Sequence, residues 1–326
     1  MEREVPRTVR SLSQPYQRGI RDLNFEIVVV DNGSAEPLDA SAIEAIAPNV
    51  RVVRYDAEGV SPAGAVNRAV AATTGRLVGI VLDGARMVTP GILASAMEAL
   101  AIDEHAMVTP LAWHLGPQHQ TLSLRDGYSR EMEDALLAKI RWPDDGYRLF
   151  DIAALAAANP TGWFGRVNES CCTFLSRVSF DDLGGYDEAF TTPGGGYVNL
   201  DFFTRAVSRP EGRLCILLGE GSFHQIHGGV ATNARDPDAV NREFMVEYEN
   251  VRGRPYQYPE ISPYYLGYLA PALKTWVSVS SEALEEQMAA NSAALAALQA
   301  MKSSRTWRLT APLRHAGRRI QRFRRP

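Results

Sequence analysis

The chain contains little that would place it outside the cell or inside a membrane. It has three cysteines in 326 residues, and the adjacent pair Cys171-Cys172 provides no disulfide framework. The polar amino terminus lacks the apolar core of a signal peptide. No window approaches the roughly 18 apolar residues that a membrane span needs. A reducing, cytoplasmic compartment is the simplest expectation.

Two further absences narrow the function. No G-x-G-x-x-G follows the first predicted strand, so dinucleotide binding is not expected. The sequence also shows no internal repeats. With 45% hydrophobic and 22% charged residues, the composition is that of an ordinary globular protein, and the length allows one extended domain or two small ones.

The net charge of −4 hides an asymmetry between the body and the carboxyl terminus. Residues 302–326 contain one Lys, eight Arg and no acidic residue, so they carry +9 and leave −13 on the other 301 residues. A basic tail on an acidic body indicates an anionic partner for the tail, and the acidic body argues against nucleic acid. We expect the tail to dock on anionic lipid at the inner face of the plasma membrane, and the alternative is a solvated arm.

The most informative stretch is FEIVVVDNGS, residues 25–34. Its β-branched run over 27–30 predicts a strand covered on both faces, as in a parallel sheet. The run ends in Asp31-Asn32-Gly33-Ser34, which is typical of a turn. An acidic residue at the carboxyl end of such a strand lies where open α/β sheets bind ligands, although Asp31 could also only shape the turn.

The order of predicted elements indicates an α/β fold with a doubly wound, mostly parallel sheet and helices on both faces. Strands are predicted over 26–30, 50–55, 77–82, 107–113, 168–175 and 215–218. Helices are predicted over 4–23, 39–47, 65–74, 90–102, 131–140, 149–158, 197–207, 237–252 and 281–301. We expect a first domain over residues 1–255 and a helical extension with a basic tail over 256–326.

Four segments carry a resemblance to a known family. VVVDNGS, VLDGARMVTP, LGGYDEAF and NLDFFTRA occur in this order, and together they resemble the family-2 glycosyltransferases with a GT-A fold over roughly residues 8–230. The resemblance implies an enzyme that transfers a sugar from a nucleotide-sugar donor to a saccharide or lipid-linked acceptor. Its motif residues imply donor binding by Asp31, Asn32, Gly33, Ser34, Asn67, Asp83 and Gly84.

The resemblance also implies a divalent cation, Mg²⁺ or Mn²⁺, on the donor diphosphate. Asp83-Gly84-Ala85 stands where the family has D-x-D, whose carboxylates suit hard cations. Because the third position is Ala85, this motif supplies one carboxylate instead of two. An imidazole could replace the missing carboxylate, and His227, before two glycines, is favoured over His224 as the metal ligand.

The general base is less well defined. An inverting transfer needs a carboxylate near the attacking hydroxyl. Aligning Asp201-Phe202-Phe203-Thr204-Arg205-Ala206 with the family motif puts Asn199, which cannot act as a base, at the expected position. Asp201 is the nearest carboxylate and is predicted as the base, with Glu169 as the second choice. Asp201 could also serve only the dipole of its helix.

The family resemblance further implies a strand before residue 4 that helps to hold the nucleoside, and we expect the natural start to lie upstream of Met1. The role in surface polysaccharide synthesis is also an expectation from the resemblance. A second hypothesis is a non-catalytic module that binds a saccharide or a partner through the helix predicted over 281–301. Ala85, Asn199 and the missing strand favour that alternative.

Overall fold

The structure is a computed structural model, and it describes residues 1–55, 61–228 and 237–270. All of these residues belong to one compact unit, Met1–Leu273. The helix predicted over 281–301, the basic tail and Gly229 lie outside the described residues. The division into domains at residue 255 stays a prediction.

Nine strands are present in the described part of the chain. They are β1 (Ile27–Asp31), β2 (Val50–Arg54), β3 (Leu77–Val81), β4 (Arg86–Val88), β5 (Ala106–Leu115), β6 (Ala153–Leu155), β7 (Cys172–Ser176), β8 (Arg213–His224) and β9 (Tyr264–Gly267).

Nine α-helices accompany them within the same described ranges. They are α1 (Glu4–Leu12), α2 (Ala40–Glu44), α3 (Ala63–Ala71), α4 (Ile92–Ile102), α5 (Gln120–Arg125), α6 (Arg130–Ile140), α7 (Arg177–Asp182), α8 (Val198–Ser208) and α9 (Pro237–Arg252).

Capping side chains explain where several helices begin. Asp39 accepts a hydrogen bond from the backbone N–H of Ala42 at 3.1 Å, which satisfies a free donor in the first turn of α2. Ser129 and Ser176 do the same at the starts of α6 and α7. These helices therefore begin where the sequence offers an oxygen acceptor.

The main sheet has seven strands and is mixed. Its order is β3-β7-β5-β8-β4, with β6 paired to β5 and β9 paired to β8. Only β5–β8 and β8–β9 are parallel pairs in this sheet. The predicted α/β class is confirmed, but the expectation of a mostly parallel sheet is wrong, because β7, β4 and β6 return antiparallel to their neighbours.

The centre of the sheet is β5, whose ten residues are all buried. One side of it contributes to an apolar cluster with α4, in which Ile92, Ala99 and Val108 are fully buried. At roughly 25 cal/mol per Å² of apolar surface removed from water, such side chains supply most of the driving force that holds the sheet together. A rigid central sheet of this kind fixes the strand ends that carry the candidate site.

β1 and β2 form a separate parallel pair. Ile27 and Val29 pack against a small apolar cluster that includes Val5 and Val9 of α1. The four apolar residues of β1 are only half-buried, so the expectation of a strand covered on both faces is wrong. Within the part of the chain that the structure describes, β1 pairs with β2 alone, and its apolar side chains pack against helices α1 and α2.

Two predicted helices differ from the observed elements. The helix predicted over 4–23 ends at Leu12, before Pro15, which cannot continue a helix. The helix predicted over 149–158 is wrong: a 3₁₀ segment, Gly146–Ile152, is followed by β6. Pairing of Ala153 with Leu115 of β5 overrides the helical propensity of this alanine-rich stretch. Among the described helices, none is long and apolar enough to cross a membrane.

Candidate active site

The turn between β3 and β4 presents a carboxylate at one end of the main sheet. Asp83 adopts a positive φ of 76°, which aspartate tolerates better than most residues, and Gly84 follows with φ 61°. Helix α1 supports the turn, since Thr8 Oγ1 donates to the carbonyl oxygen of Gly84 at 2.9 Å. The side chain of Asp83 stays 38% exposed and is therefore open to a ligand.

Two histidines meet this carboxylate from the end of β8. His224 is the last residue of β8 and lies opposite Arg86 of β4 in the sheet. Its Nε2 lies 3.8 Å from Asp83 Oδ2 and 2.9 Å from His227 Nε2. One ligand atom from each of Asp83, His224 and His227 lies within 4.8 Å of the other two.

This donor set fits a divalent cation. The separation of 2.9 Å between the two imidazole nitrogens is close to the edge of an octahedron with metal–ligand bonds of about 2.1 Å. Burial, followed by the charge of Arg86, lowers the pKa of His224 well below its ordinary value. Burial also lowers the pKa of His227, against the opposing charge of Asp83. Both imidazoles are thus neutral at physiological pH, the form that binds metals.

The structure brings together the two predicted metal ligands, Asp83 and His227, and adds His224. Ala85, in contrast, is completely buried, so the third position of the D-x-D segment faces the interior. The spacing of His224 and His227 was visible in the sequence. What sequence reasoning missed was that both histidines reach the same carboxylate, which depends on the pairing of β4 with β8.

Arg86 places a fixed positive charge beside this cluster. Its guanidinium is almost completely buried, and Nη2 lies 3.5 Å from Asp83 Oδ2. Although burial alone lowers the pKa of Arg86, the neighbouring Cys171, Glu169 and Asp83 raise it above its ordinary value. Arg86 therefore stays charged, and its positive charge acts on both Asp83 and Glu169.

Glu169 is 2% exposed and lies just before β7. Its Oε1 accepts hydrogen bonds from the backbone N–H groups of Cys171 and Cys172, both at 2.8 Å. Within the described residues Oε2 accepts no hydrogen bond. Burial raises the pKa of Glu169, while Arg86 and the two backbone N–H groups oppose the shift. A raised pKa and an uncommitted oxygen are properties of a carboxylate that can accept a proton.

Asn199, at the position where the family resemblance implies the base, approaches the same segment. Its Nδ2 lies 2.8 Å from Ser170 Oγ and 3.3 Å from Cys171 Sγ. Glu169 therefore lies immediately next to the dipeptide that Asn199 contacts. The amide and the carboxylate share one side of the candidate site.

Asp201, the predicted base, forms ion pairs with two arginines. It is 1% exposed, and Arg205 Nε donates to its Oδ2 at 2.8 Å. Arg252 donates to both of its oxygens, at 2.5 and 2.7 Å. Both oxygens of Asp201 thus already accept hydrogen bonds from half-buried guanidinium groups, and its role as a base stays a prediction. Its position in the first turn of α8 is consistent with the alternative that Asp201 interacts with the dipole of its helix.

Asp31 holds the turn after β1. Its Oδ1 accepts from Ser34 N at 2.9 Å, and Arg54 Nη1 donates to Oδ2 at 2.8 Å. Although burial alone raises the pKa of Asp31, the hydrogen bonds from Ser34 and Leu38 and the charge of Arg54 lower it. The neighbouring Asn32 donates to the carbonyl of Ser61 at 3.1 Å. Donor binding by residues 31–34 stays a prediction.

Asn67 of α3 supports the LGGYDEAF segment. Its Nδ2 donates to the carbonyl of Tyr186 and to Glu188 Oε1, both at 2.9 Å, and its Oδ1 accepts from Tyr186 N at 2.8 Å. Tyr186 in turn stacks on Phe202, with ring centroids 4.6 Å apart. Tyr186 is thus part of the core, and Asn67 holds its backbone in place. A role of Asn67 in donor binding stays a prediction.

Comparison with known proteins agrees with the resemblance found in the sequence. Residues 2–153 match the family described as glycosyl transferase family 2. The predicted resemblance to this family is confirmed over these residues. The match ends before Glu169, Asp201, His224 and His227. No curated protein matches the sequence.

Solved structures with a similar arrangement include GalNAc-T7 with UDP, GalNAc and Mn²⁺, at 16% identity and a TM-score of 0.43 over 69% of this chain and 42% of that one. Another is residues 1–349 of S. aureus TarS in complex with UDP, at 13% identity and a TM-score of 0.43, covering 76% of this chain and 62% of that one. The chain thus spans 42 to 62% of the length of these two structures.

Proposed function

We propose that the protein transfers a sugar from a nucleotide-sugar donor to a saccharide or lipid-linked acceptor with a divalent cation at Asp83, His224 and His227. The observation that carries this proposal is the convergence of these three side chains at the end of the sheet, with Asp83 inside the segment that matches glycosyl transferase family 2. A nucleotide-sugar diphosphate carries the negative charge that such a cation neutralises.

The donor set favours Mn²⁺ over Mg²⁺. Mg²⁺ binds almost entirely through oxygen, whereas two of the three protein ligands here are imidazole nitrogens. When bound, the cation would stabilise the charge that develops on the leaving nucleoside diphosphate. Arg86, beside Asp83, adds a permanent positive charge on the same side.

Glu169 is the better base within this proposal. Its raised pKa and the uncommitted Oε2 support proton transfer from an acceptor hydroxyl, whereas Asp201 is enclosed by Arg205 and Arg252. A single base of this kind accords with an inverting transfer. We retain Asp31 to Ser34, Asn67 and Gly84 as proposed donor contacts around the two turns.

The proposal also includes a biological setting for the reaction. Surface polysaccharide synthesis, with docking on an anionic membrane surface through the basic residues of 302–326, is supported by the sequence pattern of that segment. Vesicle sedimentation of the full chain, with and without anionic lipid, tests the docking. Equal sedimentation with neutral vesicles would contradict it.

The test of the enzymatic proposal uses the purified 326-residue chain. Binding and turnover are measured with UDP-, GDP- and dTDP-sugars in the presence of Mn²⁺ or Mg²⁺. We expect one donor to bind only in the presence of a divalent cation. Asp83→Ala should abolish this metal-dependent binding. The absence of binding by every donor would overturn the proposal, and so would turnover that is unchanged in Asp83→Ala. The anomeric configuration of the product, read by NMR, tests inversion.

A non-catalytic module is the second candidate, because Asn199 stands where a carboxylate base is expected. This candidate predicts that a donor or saccharide binds without transfer under every metal condition. The enzymatic proposal predicts turnover that falls when Glu169 is replaced by Gln. The two outcomes are distinguished by one assay that follows both donor binding and product formation.

A further inference from the structure

We propose that Gln120 is a positioning residue for the metal site, because its side-chain oxygen holds His224 in the tautomer whose Nε2 lone pair faces the cation. The inference rests on the proposed function, which places a divalent cation among Asp83, His224 and His227. Gln120 itself binds neither the cation nor the donor. It acts through the second nitrogen of a ligand.

The contact is short and completely enclosed. Gln120 Oε1 lies 2.5 Å from His224 Nδ1, and Gln120 and His224 are 0% and 4% exposed. An amide oxygen offers only lone pairs, so Nδ1 must carry the proton and donate it. A neutral imidazole has one ring proton. Nε2 is therefore left with a lone pair, and it faces Asp83 and His227.

The orientation of the amide follows from its other end. Gln120 Nε2 lies 3.5 Å from the carbonyl oxygen of Gln225. Exchanging the two ends of the amide would place its oxygen against this carbonyl and its NH₂ group against His224. The observed orientation pairs a donor with an acceptor at both ends, which is the usual criterion for assigning an amide.

The backbone of Gln120 is fixed as firmly as its side chain. Its N–H donates to His114 Nδ1 at 3.0 Å, and His114 lies opposite His224 in the paired strands β5 and β8. Gln120 thus begins α5 while it bridges two histidines of neighbouring strands.

The alternative tautomer of His224 would prevent its Nε2 from binding a cation. A proton on Nε2 would point toward His227 Nε2 at 2.9 Å and Asp83 Oδ2 at 3.8 Å, and it would have to be displaced before a cation could bind. Partners of the second nitrogen of a ligating histidine commonly change metal affinity by about 10- to 100-fold. Gln120 provides such a partner.

The experiment compares Gln120→Met, which removes the acceptor at similar volume, with Gln120→Glu, which keeps an oxygen on Nδ1. Mn²⁺ binding to the full chain is measured by titration calorimetry. We expect Gln120→Met to weaken binding about 10- to 100-fold and Gln120→Glu to remain within about threefold of the wild type. Gln17→Met is the matched control, since Gln17 is also a buried amide, bonded to the carbonyls of Ser11 and Thr89.

A second readout follows the tautomer directly. Long-range ¹⁵N NMR of the metal-free wild type should show His224 protonated on Nδ1, and Gln120→Met should lose this preference. A wild-type His224 protonated on Nε2 would overturn the inference, and so would unchanged Mn²⁺ affinity in a folded Gln120→Met. If the wild type binds no Mn²⁺, the proposed metal site fails, and the NMR result alone then decides whether Gln120 sets the tautomer.

Discussion

Arg252 and Arg205 together bind the carboxylate of Asp201. The Nε of Arg252 lies 2.5 Å from Oδ1 and its Nη2 lies 2.7 Å from Oδ2, while Nη1 lies 2.8 Å from Asp187 Oδ2. One guanidinium thereby joins α9 to α8 and to the LGGYDEAF segment. This arrangement gives Asp201 and Arg205 of the D-F-F-T-R-A segment a structural role in the contact between α8 and α9.

Replacing Arg252 should weaken the fold. In Arg252→Ala the buried carboxylate of Asp201 keeps only one of its two guanidinium partners, Arg205. Because a buried charge then lacks a partner, we expect the free energy of unfolding to fall by about 2–3 kcal/mol. Urea unfolding measures the change. Arg254→Ala, at an exposed arginine two residues on, is the control and should stay within about 0.5 kcal/mol of the wild type. Equal effects of both variants would contradict this reading.

The two candidate bases can be separated by kinetics. Glu169→Gln keeps the shape of the side chain but cannot accept a proton, so kcat should fall by about 10²- to 10⁴-fold. Asp201→Asn should retain kcat within about tenfold when the rate is normalised to folded protein measured by circular dichroism. A larger fall in kcat for Asp201→Asn than for Glu169→Gln would restore Asp201 as the base.

Local patterns in the sequence were sufficient for much of the fold. The β-branched run over 27–30 and the Asp83-Gly84 turn are specified by neighbouring residues, and both appear in the structure. The 149–158 stretch was mispredicted because its strand depends on pairing with Leu115, a contact that no local pattern encodes. The same limitation applies to the mixed character of the sheet.

The candidate site was also predictable from the sequence only in part. Asp83 and His227 were predicted from motif position, but the convergence of Asp83 with His224 depends on the long-range pairing of β4 with β8. The choice of Asp201 over Glu169 rested on alignment alone. Sequence could not reveal that Arg252, 51 residues away, occupies both oxygens of Asp201. Burial of Ala85 was likewise visible only after folding.

Glu133 should make stability depend on pH. This fully buried carboxyl accepts from Ile226 N at 2.9 Å, and burial raises its pKa to about 7 against the opposing effects of Ile226 N, Arg3 and Arg7. The folded state therefore favours the protonated form. The corresponding stability is fully present below the unfolded pKa of about 4.5 and is lost as pH rises to about 7.

Glu133→Gln removes this titration and provides the measurement. The difference in unfolding free energy between the wild type and Glu133→Gln should shift by about 1–3 kcal/mol in favour of the variant between pH 4.5 and 7.5. Chemical denaturation at several pH values gives the difference. A constant difference across this range, or a shift in favour of the wild type, would show that Glu133 is ionised throughout because of Arg3.

Restoring the D-x-D motif should not restore a metal ligand. Ala85 is 0% exposed, and its carbonyl accepts from Gln225 N at 2.8 Å. Ala85→Asp would bury an uncompensated carboxylate, and we expect a loss of about 3 kcal/mol or more with no gain in Mn²⁺ affinity. Ala85→Asn has the same shape without the charge and should be less damaging. Tighter Mn²⁺ binding by Ala85→Asp would contradict the observed orientation of this position.

The last prediction concerns the contact between Asn67 and the turn that precedes Tyr186. Gly185 has φ 67°, and a Cβ added there would lie 2.5 Å from Asn67 Oδ1. Gly184 has a similar φ of 71°, but a Cβ there would meet nothing within 4 Å. Gly184→Ala should therefore cost only the strain of the left-handed conformation, about 1–2 kcal/mol.

Gly185→Ala should cost more, by about a further 1–3 kcal/mol, because it also displaces the amide that accepts from Tyr186 N and donates to its carbonyl. Thermal unfolding of the two variants in parallel measures this difference. In Asn67→Ala the excess cost of Gly185→Ala should shrink, since the clash is removed and the hydrogen bonds are already lost. Equal destabilisation by both glycine substitutions would mean that Asn67 does not restrain this turn.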